Sequence, residues 1–164
     1  MVILVMGVSG SGKTTVGTLL ARDLGWEFFD GDDFHPAANV AKMRRGEPLT
    51  DADRDGWLDT LSELIGDLFR EGRSAVLACS ALRAGYRSRL RASRASEVAL
   101  VHLRGDPTLI RARLAERQGH FMKADLLASQ LASLEEPSDA LVVDAAESPV
   151  AIVERIRAGL ALGR

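Results

Sequence analysis

The sequence predicts an α/β fold of three layers, α/β/α, with a five-stranded parallel sheet at its centre. Three observations lead there. Five short apolar runs are continuous rather than alternating, as strands covered on both faces are. Segments with helical spacing separate them, and repeated β-α units give right-handed crossovers with helices on both faces. The first run passes straight into Gly7-Val8-Ser9-Gly10-Ser11-Gly12-Lys13-Thr14 and then into a helical pattern. Strand, G-x-x-x-x-G-K-T, helix is the context of a phosphate-binding loop.

Taken in order, the first strand is Val2 to Met6, and Val16, Leu19, Leu20 and Leu24 mark the helix after the loop. Gly25 closes that helix as a left-handed C-terminal cap. The second strand is Trp26 to Phe29, ending in Asp30. Thr50-Asp51-Ala52-Asp53 reads as a capping box opening a long helix. Its stripe of Trp57, Leu58, Leu61, Leu64, Ile65, Leu68 and Phe69 keeps to one face until Gly72. Ser74 to Cys79 and Glu97 to Leu103 are the third and fourth strands. Asp106-Pro107 opens a helix through Ile110 and Leu114 that Gly119 stops. Leu141 to Val143 is the fifth strand, and Ser148-Pro149 opens a last helix with Val150, Val153, Ile156 and Leu160 facing inward. No linker, repeat or low-complexity segment interrupts the pattern, so residues 1–164 read as one domain.

The 164 residues carry a net charge of −2, which excludes the global basic field of a nucleic-acid binder. No apolar stretch approaches the ~20 residues of a membrane span. Met1 to Val8 lacks a basic leader and reads as a core strand. The single cysteine, Cys79, ends an apolar run, so a buried, inert thiol in a reducing, cytoplasmic setting is expected. Trp26, Trp57 and His102 read as core.

The loop chemistry points to a nucleoside triphosphate. Glycines let backbone N–H groups wrap phosphates, Lys13 reaches the β- and γ-phosphates, and the Thr14 hydroxyl suits Mg²⁺. A GTPase base reader is absent, since the only asparagine, Asn39, is followed by Val-Ala-Lys. The middle strands end in Cys79-Ser80 and Leu103-Arg104, without the carboxylate a motor-type ATPase needs. Asp144 has that look but sits where helix punctuation is as good a reading. Asp30-Gly31-Asp32-Asp33-Phe34-His35-Pro36 brings three carboxylates off the second strand. Such a cluster suits a cation and a sugar-like hydroxyl, and equally an acidic solvated turn; beside the phosphate loop, the functional reading leads. A small-molecule phosphotransferase is therefore favoured over a regulatory NTPase module.

The chain resembles the small phosphate-loop gluconokinases. Gly7 to Thr15, Leu24-Gly25-Trp26, Asp30 to Pro36, Asn39, Lys42-Met43, Gly46 to Asp51 and Asp53-Arg54 carry the likeness. It continues through Cys79 to Arg83, Tyr86-Arg87, Arg117, Gly119 to Met122, Ser129-Gln130 and Leu134-Glu135. Arg83 stands where relatives often have lysine. The resemblance implies a P-loop kinase fold with a small helical lid around 117–130, a homodimer, and ATP-dependent conversion of D-gluconate to 6-phosphogluconate. A kinase for another polyhydroxy acid, such as shikimate, is the alternative. Gly7, Ser9, Gly10, Ser11, Gly12, Lys13, Thr14, Thr15 and Arg113 would bind ATP. By similarity to shikimate kinase, Thr14 and Asp30 would hold Mg²⁺ and Asp32 would act as base. Arg117 would be an internal arginine finger from the lid. His35, Lys42, Arg54, Arg83 and Arg87 are the candidates for the sugar acid, two or three of them touching it, with exposed helix charges as the bland alternative. His120 belongs to the same implied set. Ser80 would either bond substrate or cap the helix beginning near Arg83.

Overall fold

A computed structural model describes residues 1–92, 94–116 and 124–163 of the chain. Five strands, β1 (Val2–Met6), β2 (Glu27–Asp30), β3 (Ala75–Ala78), β4 (Val98–Arg104) and β5 (Leu141–Asp144), form one parallel sheet in the order β2-β3-β1-β4-β5. Seven α-helices are described: α1 (Lys13–Leu24), α2 (Ala37–Arg44), α3 (Asp51–Arg70), α4 (Ala84–Leu90), α5 (Pro107–Glu116), α6 (Ala124–Ser133) and α7 (Pro149–Gly159). None of them is long and apolar enough to cross a membrane.

Alternate side chains of β1 feed the two cores. Val2, Leu4 and Met6 pack with the α3 stripe of Trp57, Leu58, Leu61, Ile65 and Leu68. Ile3 and Val5 face the opposite layer, with Val16 and Leu20 of α1 and Ile152, Val153 and Ile156 of α7. Each such fully buried aliphatic side chain contributes about 1.5–3 kcal/mol. The continuous apolar reading holds for β1 and β3, every residue of which is buried. It fails at the edges: β2 and β5 have one neighbour each and are partly exposed. Val150 is a second correction, because it lies outward on the first turn of α7 and is 59% exposed. Trp26 is only half-buried.

The expected helix signals are present. Gly25 caps α1 in the left-handed region at φ 67°. Thr50 and Asp53 form a reciprocal capping box at the start of α3, and the Ser148 hydroxyl accepts from Ala151 N at the start of α7. Asp144 accepts from Ala146 N and so punctuates the turn ahead of that helix. The helix begun by Pro107 is described to Glu116, so its expected end at Gly119 lies outside the described residues. With all strands parallel, their carboxyl ends gather the phosphate loop, the 30–35 turn and residues 80–83 on one rim.

Candidate active site

The phosphate loop is shaped by glycines at two positions where the backbone is left-handed. Gly12, at φ 96°, caps the N-terminus of α1, with open space where a Cβ would stand. Gly10, at φ 83°, has Ile110 and Leu114 of α5 packed against it, 3.0–3.2 Å from where a Cβ would stand, so a side chain there would have to push them aside. Amides at the head of α1 therefore face outward, and the positive end of the helix dipole lies behind them. Lys13 Nζ donates to Val8 O at 3.0 Å, folding its ammonium along the loop. Thr14 Oγ1 donates to Asp30 Oδ2 at 2.7 Å, and Asp30 Oδ1 accepts from Asp32 N at 3.0 Å. One carboxylate thus ties the metal-suited hydroxyl to the acidic turn. Among the described residues no three acidic, histidine or cysteine side chains gather into a metal cage. A donor set of one hydroxyl and one carboxylate matches Mg²⁺, which keeps waters and leans on substrate phosphates.

Beside the loop opens a solvent-accessible cleft. Of the sequence-predicted residues it gathers Ser9, Lys13, Asp32, His35, Arg54 and Ser80. Asp32 is largely exposed, its side chain 72% accessible, whereas the His35 side chain is buried. His35 stacks on Trp57, ring centroids 4.3 Å apart and planes 15° from parallel. Burial, the strongest influence, lowers the His35 pKa below the ordinary imidazole value; Asp32 opposes this and Arg54 adds to it. Arg54 is anchored through Leu49 O at 2.6 Å and lies 5.8 Å from the Tyr86 ring centre. Ser80 follows β3 and lines the cleft. It does not cap α4: Ala84 N at the start of that helix is taken by the Glu135 carboxylate at 2.6 Å. Ala81, next along, is held at φ 43°, a conformation costly for a residue with a Cβ.

Three of the basic candidates are engaged elsewhere. Lys42 donates to both carboxylate oxygens of Asp53, at 3.0 and 2.8 Å, and that carboxyl is held down at about 2. Arg83 pairs with Asp51 at 2.9 Å, and the Tyr86 hydroxyl donates to the same carboxylate. Arg87 is buried and donates to the carbonyls of Ala81 and Leu82, both at 3.0 Å, so it braces the Ser80 loop from behind. Arg117 and His120, and most of the hinge of the expected lid, lie outside the described residues.

A second hollow, on the other side of the loop, is bordered by Gly10, Gly12, Thr15 and Arg113. Arg113 donates to Ala145 O at 2.8 Å, tying α5 to the segment after β5. Ala145, Glu147 and Pro149 complete this hollow.

Comparisons with known proteins show the family and the fold. A family model described as an AAA domain matches residues 2–137. A gluconokinase of Gluconobacter oxydans is 50% identical over 137 residues, covering 84% of this chain and 76% of the relative. This chain belongs to the gluconokinase family. A gluconokinase structure from Sinorhizobium meliloti superposes with a TM-score of 0.87 at 42% identity, over 97% of this chain and 90% of that one. A sugar kinase from Janibacter sp. gives 0.91 at 44% identity, over 99% and 95%.

Within this gluconokinase-family fold, the cleft also contains residues to which the sequence reading gave no site role. Gln130 of α6 accepts from Ser9 N at 2.7 Å, and Ser129 and Ser133 lie beside it. Glu47, Pro48 and Leu49 line the wall below Arg54. Trp57, expected only as core, donates its indole N–H to Gly31 O at 2.7 Å and carries His35 on its face. Its place four residues after Asp53 on a capped helix was the available signal.

Proposed function

We propose that this chain transfers the terminal phosphoryl group of ATP to D-gluconate, giving ADP and 6-phosphogluconate. Supporting this reading is a single cleft in which an exposed carboxylate, Asp32, a phosphate-loop lysine, Lys13, and a guanidinium, Arg54, face the same space. Gluconate needs each of them: a base for its hydroxyl, a cation beside the transferring group, and a cation for its carboxylate. Asp32 takes the hydroxyl proton as the new O–P bond forms and the bond to the ADP oxygen breaks. Lys13 and the loop amides neutralise charge on the phosphate oxygens, while Arg54 and His35 hold the sugar acid. Thr14 and Asp30 are the residues that would hold Mg²⁺, which when bound supplies charge neutralisation between the phosphates. Gly10, Gly12, Thr15 and Arg113 would cradle the nucleotide on the other side.

The reading extends to residues 1–164 as one kinase domain with a lid around 117–130 carrying Arg117 and His120, and to a cytoplasmic homodimer. Sedimentation of the purified protein tests the dimer. A coupled ADP-release assay across a panel of sugar acids tests the activity. Turnover is expected with gluconate and not with shikimate. Turnover confined to shikimate, or ATP hydrolysis indifferent to every sugar acid, would overturn it.

A further inference from the structure

Asn39, on α2, is buried and lies outside every role derived above. Its Nδ2 donates to Asp53 O at 2.8 Å. A carbonyl can only accept, so this bond fixes which end of the Asn39 amide is nitrogen. The same nitrogen lies 3.3 Å from His35 Nδ1. An NH₂ facing a ring nitrogen makes that nitrogen the acceptor, and the proton of a neutral imidazole must then sit on Nε2. Turning the ring over would keep its plane against Trp57 but would put Cδ2 where Nδ1 stands and forfeit this contact inside a buried side chain. Its Nε2 lies 3.8 Å from Asp32 Oδ1, beyond direct bonding and with room for a shared partner.

We propose that Asn39 is a positioning residue that fixes His35 as the Nε2–H tautomer, donating to the acceptor oxygen held beside Asp32. This rests on the gluconate kinase reading for the identity of that oxygen, whereas the tautomer itself does not. A cationic His35 would set an N–H against the Asn39 NH₂, so the contact also opposes protonation. The charged groups that act on the ring are Asp32 on its own turn and Arg54 on α3. Of these, Asp32 favours the cation and Arg54 opposes it, and burial outweighs both.

The test is ¹⁵N-detected NMR of the substrate-free protein at pH 7, where only three histidines contribute and His35→Gln identifies the signal. The expected spectrum shows His35 neutral and protonated at Nε2. In Asn39→Asp the carboxylate accepts from Nδ1, so the signal should move to the Nδ1–H or cationic form. Gluconate turnover should then fall about tenfold to a hundredfold, the loss expected from a misaimed group. His35→Gln, whose amide nitrogen overlays Nε2, should retain more kcat than His35→Asn, whose amide overlays Nδ1. A wild-type His35 protonated at Nδ1 would overturn the proposal even if Asn39→Asp failed to fold. So would equal activity of the two His35 variants. Wild-type gluconate turnover separately reports on the kinase reading.

Discussion

Asp32 and Asp30 sit two residues apart and are given different work by their surroundings. Asp30 is occupied by the Thr14 hydroxyl and by Asp32 N, whereas the Asp32 carboxylate stands largely open to the cleft. A base must be free to accept, so Asp32→Asn should cut gluconate turnover by about 10²–10⁴-fold. Binding of a non-hydrolysable ATP analogue, read by calorimetry, should be unchanged; loss of that binding would assign Asp32 to the nucleotide instead. On the proposed function Lys13→Ala should reduce both, because its ammonium would meet the phosphates in the ground state and the transition state alike. The sequence singled out Lys13 through the phosphate-loop motif and Asp32 through the acidic turn and the likeness to shikimate kinase. For Lys42, Arg83 and Arg87 the structure supplies protein partners that the sequence did not indicate. Nothing in their sequence positions distinguishes a cation aimed at a ligand from one claimed by Asp53, by Asp51 or by two backbone carbonyls. For Lys42 and Arg83 the partners come from α3, and for Arg87 from the loop just ahead of its own helix, and all become neighbours only on folding.

Among the elements, α4 has seven residues, and Arg83, at its N-cap, provides no side-chain cap. A helix that short holds few internal bonds, so its end needs outside support. The segment after α6 supplies it. Glu135 N donates to Leu82 O at 2.9 Å, while the Glu135 carboxylate accepts from Ala84 N. The same residue thus joins the exit of α6 to the loop that carries Ser80. Glu135→Ala should lower unfolding stability by about 1 kcal/mol, as for other lost caps, and should raise KM for gluconate more than KM for ATP. Urea titration and steady-state kinetics check the two effects; a variant with unaltered KM for gluconate would make Glu135 a cap only. Local signals in sequence revealed the caps built from near neighbours, at Gly25, at Thr50 with Asp53, and at Ser148. A cap arriving from 51 residues away leaves no such trace.

Across the whole molecule, the five parallel strands and the rim of strand ends followed from β-α alternation and chirality, whereas the order β2-β3-β1-β4-β5 was not read from the sequence, and the exposed edges followed less well because burial depends on neighbour count. Alternation also left open how the interior handles titratable groups. Cys79 is fully enclosed, and burial pushes its thiol up to about 12, so it stays protonated and inert. His102, on β4, is buried with Nδ1 3.3 Å from a Glu136 oxygen, yet without a directed hydrogen bond. Burial lowers its pKa most, Glu136 opposes, and Arg104 and Arg87 add to the lowering. His35, which lines the cleft, is shifted the same way. Both imidazoles therefore bind a proton more readily in the unfolded chain than in the folded one. By linkage, stability is complete above the ordinary imidazole value of 6.5 and falls as pH drops below it, levelling once the folded groups also protonate. The slope from each is at most about 1.4 kcal/mol per pH unit. Urea midpoints measured at pH 7.5 and 5.5 should therefore decrease on acidification, and His102→Leu should remove part of that decrease. A midpoint that rises between those values would mean that carboxylates such as Glu136 hold the buried rings in their charged form.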